Sequence, residues 1–501
     1  MEAVLPLFVI LPLGTAFLVP VLSRANERVA DALGNLCMAA LLAMSVFALL
    51  GGGEATYWMG GWRPVAGVPL GISLVLDGLS GLMLVAVNLI GLAATVYSIS
   101  YMSRFTARSR YYCLFLLMVA GMNGAVLTGD LFNLFVFIEI ASVASYALVA
   151  FGCRHEELEA SFRYVVLGGA ASTFVLLGVA LLYARTGALN MAYVASVIGG
   201  AADPPVMMAL ALFVAGLGLK AALVPFHAWL PDAHPSAPAP ISAMLSGVLI
   251  KAIGVYALVR LLYHVIGITP VSSNILLVLG ALSMIGGVFL AVGQWDFKRL
   301  LAYHSISQIG YVILGIGLGT PLGVAAGLFH LVNHATFKSL LFLNAGAVEY
   351  RTGTRELRRM GGLASEMPVT GGTSMVASMS IAGVPPFNGF FSKLAIIIAC
   401  VAAGRWGYAV WAVVVSLMTL ASFTKVQKYG FFDKRADRPR ASEAPASMCV
   451  AMLGLAVLCL AMGALWLPSV RSVALTPAAE RVVAGPAAYS SLLAEADAPE
   501  E

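Results

Sequence analysis

Four lysines lie inside long apolar stretches of this 501-residue chain: Lys220, Lys251, Lys338 and Lys393. A lysine at the centre of a membrane-spanning helix costs about 2.5–3.5 kcal/mol on insertion scales, so such residues normally face a bundle interior or a water-filled path. The alternative is that the side chains snorkel to the lipid headgroups. Snorkelling suits Lys251 least, because ten residues of the run "ISAMLSGVLIKAIGVYALVRLLYH" precede it and place it about 15 Å along a helix. We therefore predict that Lys251 is buried.

A carboxylate, Glu139, lies deep in the apolar run "LFNLFVFIEIASVASYALVAF". Buried alone, it would take up a proton, whereas beside a lysine ammonium it would stay ionised and favour the charged form of that lysine. A Lys–Glu pair whose separation changes would switch the lysine between holding and releasing a proton. The alternative is a neutral glutamic acid that hydrogen-bonds a neighbouring helix.

The stretch "LFHLVNHATFKSLLFLNAG" places His330, His334 and Lys338 at positions i, i+4 and i+8, along one face of a helix. Two histidines at this spacing could bind zinc, but the glutamate of the HExxH signature is missing and no third ligand is evident. Imidazoles beside a lysine are better suited to a proton relay. Core histidines with satisfied hydrogen bonds are the remaining alternative.

Prolines interrupt two of the apolar runs, each close to a lysine. The first interruption is "LVPFHAWLP", which contains Pro225 and Pro231, and the second is "IAGVPPFNGFFSKLAII", which contains Pro385 and Pro386. Proline breaks a helix, and broken backbone is tolerated at membrane depth only where it is buried in protein or lines a cavity. Two interrupted helices five helices apart suggest repeated units with the ion path at the breaks. Simple packing kinks are the alternative.

The scaffold that holds these residues is predicted to be an all-α polytopic membrane protein, because 60% of the residues are hydrophobic, 11% are charged and the mean hydropathy is +0.92. The N-terminal stretch lacks a basic n-region and a small-residue cleavage site, so we interpret it as a first span rather than a signal peptide. Windows of about twenty apolar residues predict about fourteen helices. They lie near 3–22, 31–50, 70–98, 111–128, 130–151, 163–185, 206–231, 240–264, 272–293, 300–319, 321–349, 368–403, 407–427 and 446–467.

The basic residues predict the orientation, since cytoplasmic loops collect Lys and Arg. Of the 29 basic residues, 19 fall in loops after odd-numbered helices, among them Lys434, Arg435, Arg438 and Arg440. Six others, including Arg260 and Arg481, fall near the opposite side. Both termini are therefore predicted outside the cytoplasm. We expect the Ala-, Pro- and Glu-rich tail after about residue 468 to be a short amphipathic or disordered end.

Redox and metal chemistry have little support in the sequence. The six cysteines lie far apart without CxxC spacing, and no phosphate-binding loop occurs in a strand-then-helix context. We therefore expect no cofactor, no bound metal and no nucleic-acid partner. This argues against a rival hypothesis, in which the chain is itself a quinone-binding redox enzyme.

The sequence resembles the antiporter-like subunits that respiratory complex I, Mrp-type cation/proton antiporters and energy-converting membrane-bound hydrogenases share. The resemblance covers about residues 70–430. It rests on "DGLSGLM", "IEIASVASYALVAF", "LGLKAALVPFHAWLPDAHPSAPAPISAMLSGVLIKAIGVYALVR", "DFKRLLAYHSISQIGY", "LFHLVNHATFKSLLFLNAGAV" and "GVPPFNGFFSKL". At position 163 related chains commonly have lysine; Arg163 keeps the charge but does not release its proton, so we expect no relay role there.

The resemblance implies an architecture and a set of roles. It implies fourteen helices with two inverted five-helix repeats, helices 4–8 and 9–13, each with one discontinuous helix. The corresponding divisions are 1–110, 111–265, 272–430 and 431–501. It further implies that Glu139 modulates Lys220, that Lys251 is the midplane relay, and that Lys393 lies at the exit. In this scheme His330, His334 and Lys338 continue the axis between Lys251 and Lys393.

The function implied is that of a proton-translocating subunit in a multi-subunit membrane complex of a bacterial or archaeal cytoplasmic membrane. The "DAHPSAPAPISAMLSGVLIK" stretch and the compact length favour the D-type component of an Mrp-type Na⁺/H⁺ antiporter. The alternatives are a proton-pumping subunit of a complex I-type quinone oxidoreductase or hydrogenase, and a structural subunit that has lost transport. Expected partners are other membrane subunits, the lipid bilayer, H⁺ and, for an antiporter, Na⁺.

Overall fold

The computed structural model describes residues 2–24, 26–51, 53–65, 67–200, 203–433 and 441–496. Within these ranges the chain is almost entirely helical, and its named strands form a two-stranded hairpin. The predicted all-α membrane architecture is confirmed. The basic residues Lys434, Arg435, Arg438 and Arg440, together with the last five residues of the tail, lie outside the described ranges.

Eighteen helices of more than one turn are labelled here in chain order, and short helical turns fill some of the loops between them. They are α1 (Leu7–Leu22), α2 (Arg28–Leu50), α3 (Gly78–Tyr101), α4 (Arg108–Leu127), α5 (Leu131–Val149), α6 (His155–Thr186), α7 (Met191–Ile198), α8 (Pro204–Lys220), α9 (Leu230–Ser236), α10 (Ala239–Ile266), α11 (Pro270–Val292), α12 (Phe297–Gly317), α13 (Pro321–Thr352), α14 (Pro368–Ala382), α15 (Asn388–Ala402), α16 (Trp406–Phe432), α17 (Ala446–Trp466) and α18 (Pro468–Ala496).

Among the described residues, eleven helices are long and apolar enough to cross a membrane, namely α1–α6, α10–α12, α16 and α17. The other three predicted spans correspond to the interrupted pairs α8–α9 and α14–α15 and to α13, which carries two histidines and a lysine in its buried centre. The count of fourteen spans stays a prediction. The division of the chain into segments 1–110, 111–265, 272–430 and 431–501 also stays a prediction, as does the inverted symmetry of the two repeats.

The third helix begins later than predicted, because part of its apolar run is a strand. β1 (Ala55–Trp58) pairs antiparallel with β2 (Ser73–Leu76), whose four residues are all buried. α3 then starts at Gly78 behind a capping box, in which Asp77 accepts from the Ser80 amide at 2.8 Å and the Asp77 amide donates to the Ser80 hydroxyl at 2.7 Å. Hydropathy alone does not separate a buried strand from the helix that follows it.

Both interrupted helices break where the prolines occur. α8 ends at Lys220 and the chain resumes as α9 at Leu230, while α14 ends at Ala382 and resumes as α15 at Asn388. Side chains bond the backbone groups that the first break frees: Trp229 Nε1 donates to the Leu219 carbonyl at 2.9 Å, and the Val224 amide donates to Ser283 Oγ at 2.9 Å. The broken backbone is thus satisfied inside the protein, as membrane depth requires.

The helix that carries Lys251 is α10, and it forms the centre of the bundle. Two stretches of it, Leu245–Tyr256 and Arg260–Ile266, are π-helical, and every residue of both is buried. π-Helical segments are uncommon and frequently occur at functional sites. Lys251 is fully buried, so its predicted burial is confirmed.

The described part of the C-terminal tail is a packed helix, so of the two expected alternatives, a short amphipathic end and a disordered end, the disordered one is wrong there. α18 runs from Pro468 to Ala496 and changes direction at Gly485, which has a positive φ of 70°. Leu475, Val482 and Tyr489 on α18 are buried. The Ala- and Pro-rich composition suggested disorder, but the apolar side chains find partners on α3, α7, α10 and α13.

Glycines allow α11 and α12 to approach closely. A Cβ at Gly310 would lie 2.3 Å from the Met284 amide nitrogen, and one at Gly280 would lie 2.7 Å from that of Leu314. We expect Gly310→Ala to lower the free energy of unfolding by about 1–3 kcal/mol, because backbone atoms cannot move aside as a flexible side chain can. Thermal melting of the purified complex measures the effect. Gly372→Ala on α14, with no atom within 4 Å of the added Cβ, is the control, and equal melting of the two variants would contradict this packing.

Candidate functional site

Glu139 and Lys220 form an ion pair between α5 and the last residue of α8. Lys220 Nζ lies 3.3 Å from Glu139 Oε1 and donates to Ser142 Oγ at 2.9 Å, and the Ser172 hydroxyl donates to the same carboxylate. The Lys220 side chain is 2% exposed, whereas that of Glu139 is 30% exposed. The lysine is therefore enclosed, while its partner reaches the outer surface of this chain.

Lys251 is held by its own helix. Its Nζ donates to the Ser246 carbonyl, five residues earlier, at 2.6 Å, and the Ser246 hydroxyl bonds Ser305 Oγ of α12 at 2.7 Å. Within the described ranges the buried lysines with carboxylate partners are Lys220 and Lys298. The hydrogen-bond partner of Lys251 is therefore a neutral carbonyl oxygen.

His330, His334 and Lys338 lie in line along α13, and all three are fully buried. The two imidazoles are stacked with centroids 6.3 Å apart. His330 bonds Ser392 Oγ at 2.9 Å and Gln308 Oε1 at 3.2 Å, and Lys338 donates to the Leu301 carbonyl of α12.

His334 lies between His330 and Lys338 along α13. Neither of its ring nitrogens has a hydrogen-bond partner among the described residues. It interacts electrostatically with Lys251, Lys338 and Lys393. The imidazole is thus within the electrostatic influence of lysines on α10, α13 and α15.

Lys393 occupies the second break, and the break supplies its partner. Its Nζ donates to the Ile381 carbonyl at 2.7 Å and to Ser416 Oγ at 3.3 Å, and it lies 5.0 Å from the centre of the Tyr311 ring. In a continuous helix the Ile381 carbonyl would accept from residue 385, but that residue is proline and has no N–H. The proline therefore leaves free the oxygen that holds this ammonium group.

A second buried charge pair, which the sequence pattern did not predict, links the N-terminus of α3 to the C-terminal part of α10. Arg260 donates to both carboxylate oxygens of Asp77, at 2.5 and 2.9 Å, and also to Tyr256 Oη at 2.6 Å. The distribution of loop charges places Arg260 near the outer surface, but it is buried within α10, because the apolar run continues beyond it. Asp77 is likewise buried, so Glu139 is not alone as a carboxylate inside the bundle.

Three further polar residues of the interior carried no site prediction. Lys298 pairs with Glu349 at 3.0 Å, His304 bonds Ser422 Oγ at 2.9 Å, and His234 is fully buried in α9. A histidine followed by prolines resembles a loop residue in sequence, and that similarity concealed His234. Arg163, by contrast, is exposed and pairs with Asp232 at 2.7 Å and Glu159 at 2.5 Å.

Within the described ranges no group of three or more His, Cys, Asp or Glu side chains is arranged to hold a metal ion. The two histidines of α13 have hydroxyl, amide and aromatic neighbours instead. This donor set suits proton exchange better than zinc coordination.

Comparison with known sequences places this arrangement in a family. Residues 128–419 match the profile described as "NADH:quinone oxidoreductase/Mrp antiporter, TM", which is more than half of the chain. The chain belongs to this family. Residues 62–112 additionally match the profile described as "NADH-Ubiquinone oxidoreductase (complex I), chain 5 N-terminus".

The relatives of this chain include components of NADH-quinone oxidoreductases and components of Na⁺/H⁺ antiporters. It is 41% identical to the N-type component of the NADH-quinone oxidoreductase of Desulforudis audaxviator, over 91% of this chain and 95% of the relative. It is 36% identical to the D-type component of the Na⁺/H⁺ antiporter of Alkalihalophilus pseudofirmus, over 80% of each. A chain of the Mrp complex from Dietzia superposes with a TM-score of 0.88 at 33% identity, over 98% of this chain and 99% of the other.

The buried pair of Asp77 and Arg260 gives a prediction about stability. Asp77→Asn leaves the Arg260 charge buried without its carboxylate, and removing one partner of such a pair typically destabilises by about 3–5 kcal/mol. We expect the single variant to melt well below the wild-type complex and the double variant Asp77→Asn, Arg260→Met to recover part of the loss. Additive losses in the double variant would contradict a direct pair.

Proposed function

We propose that this chain is a proton-translocating subunit of a multi-subunit membrane complex and that Glu139, Lys220, Lys251, His330, His334, Lys338 and Lys393 form its translocation axis. One observation carries the proposal: Lys251, Lys338 and Lys393, which we call the lysine row, are buried and bond neutral oxygens. A lysine that bonds a carbonyl can lose its proton without leaving an unpaired carboxylate behind. Such residues can pass protons where a permanent ion pair would hold them.

The axis would be driven through Glu139. Its carboxylate is 30% exposed on this chain, so a charge on a neighbouring subunit can approach it. At about 4 Å and an effective dielectric constant of about 20, a unit charge interacts with it by about 4 kcal/mol. That exceeds the roughly 1.4 kcal/mol that changes a protonation equilibrium tenfold. Weakening the hold of Glu139 on Lys220 would change the field at Lys251 and send a proton through the α13 histidines towards Lys393.

The type of complex is proposed in two forms. The first is an Mrp-type antiporter in which the chain serves as the D-like component and H⁺ moves in exchange for Na⁺. The second is a proton-pumping subunit of a quinone oxidoreductase or energy-converting hydrogenase, which the 41% identity to a component of an NADH-quinone oxidoreductase favours. The proteins that co-purify with the tagged chain distinguish the two forms. Antiporter subunits would support the first form, and subunits of a quinone oxidoreductase or hydrogenase would support the second. A structural subunit without transport is less well supported, because such a subunit would not need the buried charges that are present in this chain.

The membrane is proposed to be the cytoplasmic membrane of a bacterium or archaeon, with both termini on its outer side. The charge distribution in the loops supports this orientation. Arg481 of α18 lies 3.2 Å from Glu54, which directly precedes the β1–β2 hairpin, and both are assigned to the outer side. Attachment of a tag to either terminus, followed by protease treatment of intact cells, tests the orientation.

The relay lysine gives the central functional prediction. We expect Lys251→Ala to reduce ΔpH formation at least tenfold in proteoliposomes that contain the whole complex. Lys251→Arg should fail as well, because a guanidinium keeps its proton. Lys428→Ala, which removes an exposed lysine, is the control and should transport normally. Wild-type rates in the Lys251 variants, with normal assembly, would show that this axis is wrong.

The switch at Glu139 is tested separately. We expect Glu139→Gln to slow transport strongly, because an amide carries no charge to hold Lys220, and Glu139→Asp to retain part of the rate. The initial rate of acidification in inverted vesicles measures both variants, with the amount of assembled complex as reference. If Gln and Asp transported equally well, the charge at this position would have no part in the cycle.

A further inference from the structure

A polar cavity of about 310 Å³ lies at the end of the bundle that carries the predicted cytoplasmic loops. We refer to it as the vestibule. It lies between the start of α6, α9, the start of α12 and the loop after α13, and its charged lining includes Glu159, Arg163, Asp232, Asp296, Arg299 and Arg355. Charges of both signs line its wall, and Asp232 pairs with Arg163 at 2.7 Å and with Arg299 at 3.5 Å.

The short helix α9 forms the floor of the vestibule and has two faces. Pro231, Asp232, Pro235 and Ser236 line the cavity. The opposite face, which includes His234, is buried in the bundle. This division follows the helical period, so the imidazole lies beneath the floor on the side of the lysine row.

His234 is fully buried, and neither ring nitrogen has a hydrogen-bond partner among the described residues. Its ring packs edge-on against Trp229 at 6.2 Å and Phe342 at 5.4 Å between centroids. A neutral imidazole has one donor and one acceptor, and a histidine retained for structure normally has both satisfied. The site therefore suits an imidazole whose partners change during the cycle.

The Phe342 ring connects His234 to the lysine row. Lys338 Nζ lies 5.6 Å from the centre of this same ring. His234 also interacts electrostatically with Lys338 and Lys251. The imidazole is thus placed between the floor of the vestibule and the Phe342 ring that Lys338 also contacts. A water molecule or a swing of the Lys338 side chain can bridge the remaining gap.

Side chains from three other elements hold the carbonyl groups of the floor. Ser242 donates to the His234 carbonyl at 2.7 Å, Arg355 to that of Pro235 at 2.6 Å, and Lys298 to that of Ala237 at 3.1 Å. The His234 carbonyl needs this donor because residue 238, its partner in a continuous helix, is proline. The position of the imidazole under the vestibule is therefore fixed by the bundle.

We propose that His234 transfers protons between the vestibule and Lys338; this inference rests on the proposed function. One ring nitrogen accepts a proton from a hydronium ion in the vestibule, which leaves a water molecule there, and the other gives its own proton to the neutral amine of Lys338, which becomes an ammonium group. The imidazole is neutral before and after the transfer. A return of the ring to its first tautomer resets the site.

The test uses His234→Gln in the whole complex, reconstituted in proteoliposomes. Glutamine keeps a polar side chain but does not exchange a proton in this way, so we expect ΔpH formation to fall at least tenfold with normal assembly. His155→Gln, which removes an exposed imidazole at the same end of the bundle, is the matched control and should transport normally. A wild-type rate in His234→Gln would overturn the inference.

The Lys251→Ala variant in the same assay separates the two proposals. If Lys251→Ala abolishes transport while His234→Gln transports normally, the axis stands and the role of His234 falls. If Lys251→Ala itself transports normally, the proposed function fails.

A second measurement applies should His234→Gln fail to assemble. Ser236→Cys is placed in a Cys153→Ser background, which removes the exposed native cysteine, and is labelled with a bulky membrane-impermeant thiol reagent from the vestibule side. We expect the label to slow transport at least fivefold and to leave the Cys153→Ser parent unaffected. Wild-type transport after complete labelling of Ser236→Cys would overturn the vestibule as the route to His234.

Discussion

The structure depends on one constraint, which is that ammonium groups buried among helices need oxygen partners that do not fix them permanently. A carboxylate would stabilise each lysine but would also hold its proton. Backbone carbonyls and hydroxyls solve this problem, because they accept a hydrogen bond and carry no net charge. Lys251, Lys338 and Lys393 each bond a carbonyl, whereas Lys298 and Arg260 bond carboxylates. The interior therefore contains two kinds of cation: those that bond neutral oxygens, and those that pair with a carboxylate, to which Lys220 also belongs.

Irregular backbone makes this solution possible. A regular helix uses nearly all of its carbonyls internally, so an extra acceptor requires a break, a change of helical period or the second lone pair of a carbonyl. Pro385 frees the Ile381 oxygen for Lys393, and the π-helical part of α10 places the Ser246 oxygen within reach of Lys251. The prolines that weaken these helices in isolation thus supply the polarity that the buried lysines need.

Much of this was predictable from the sequence, since hydropathy and proline positions act locally. The burial of Lys251, the two breaks and the helical face shared by the α13 histidines all follow from spacing alone. The features that the sequence did not predict depend on tertiary contacts. His234 lies among prolines, and only the packing of α9 beneath its neighbours buries it. Arg260 lies inside the predicted span 240–264, but its pairing with Asp77 depends on a contact between two helices. The β1–β2 hairpin was concealed because a buried strand is as apolar as a span.

The cluster at the N-terminus of α3 and the C-terminal part of α10 draws on parts of the chain that are made at very different times. The cluster contains Asp77, Arg260 and His264. His264 Nε2 bonds the Arg481 carbonyl of α18 at 2.9 Å, and the His264 ring stacks on Tyr489. Translation at about 5–20 residues per second separates Arg260 from Arg481 by roughly 10–45 s. During that interval α18 is not yet present to pack against the Asp77–Arg260 pair. The cluster is therefore complete only after α18 has been synthesised and has docked.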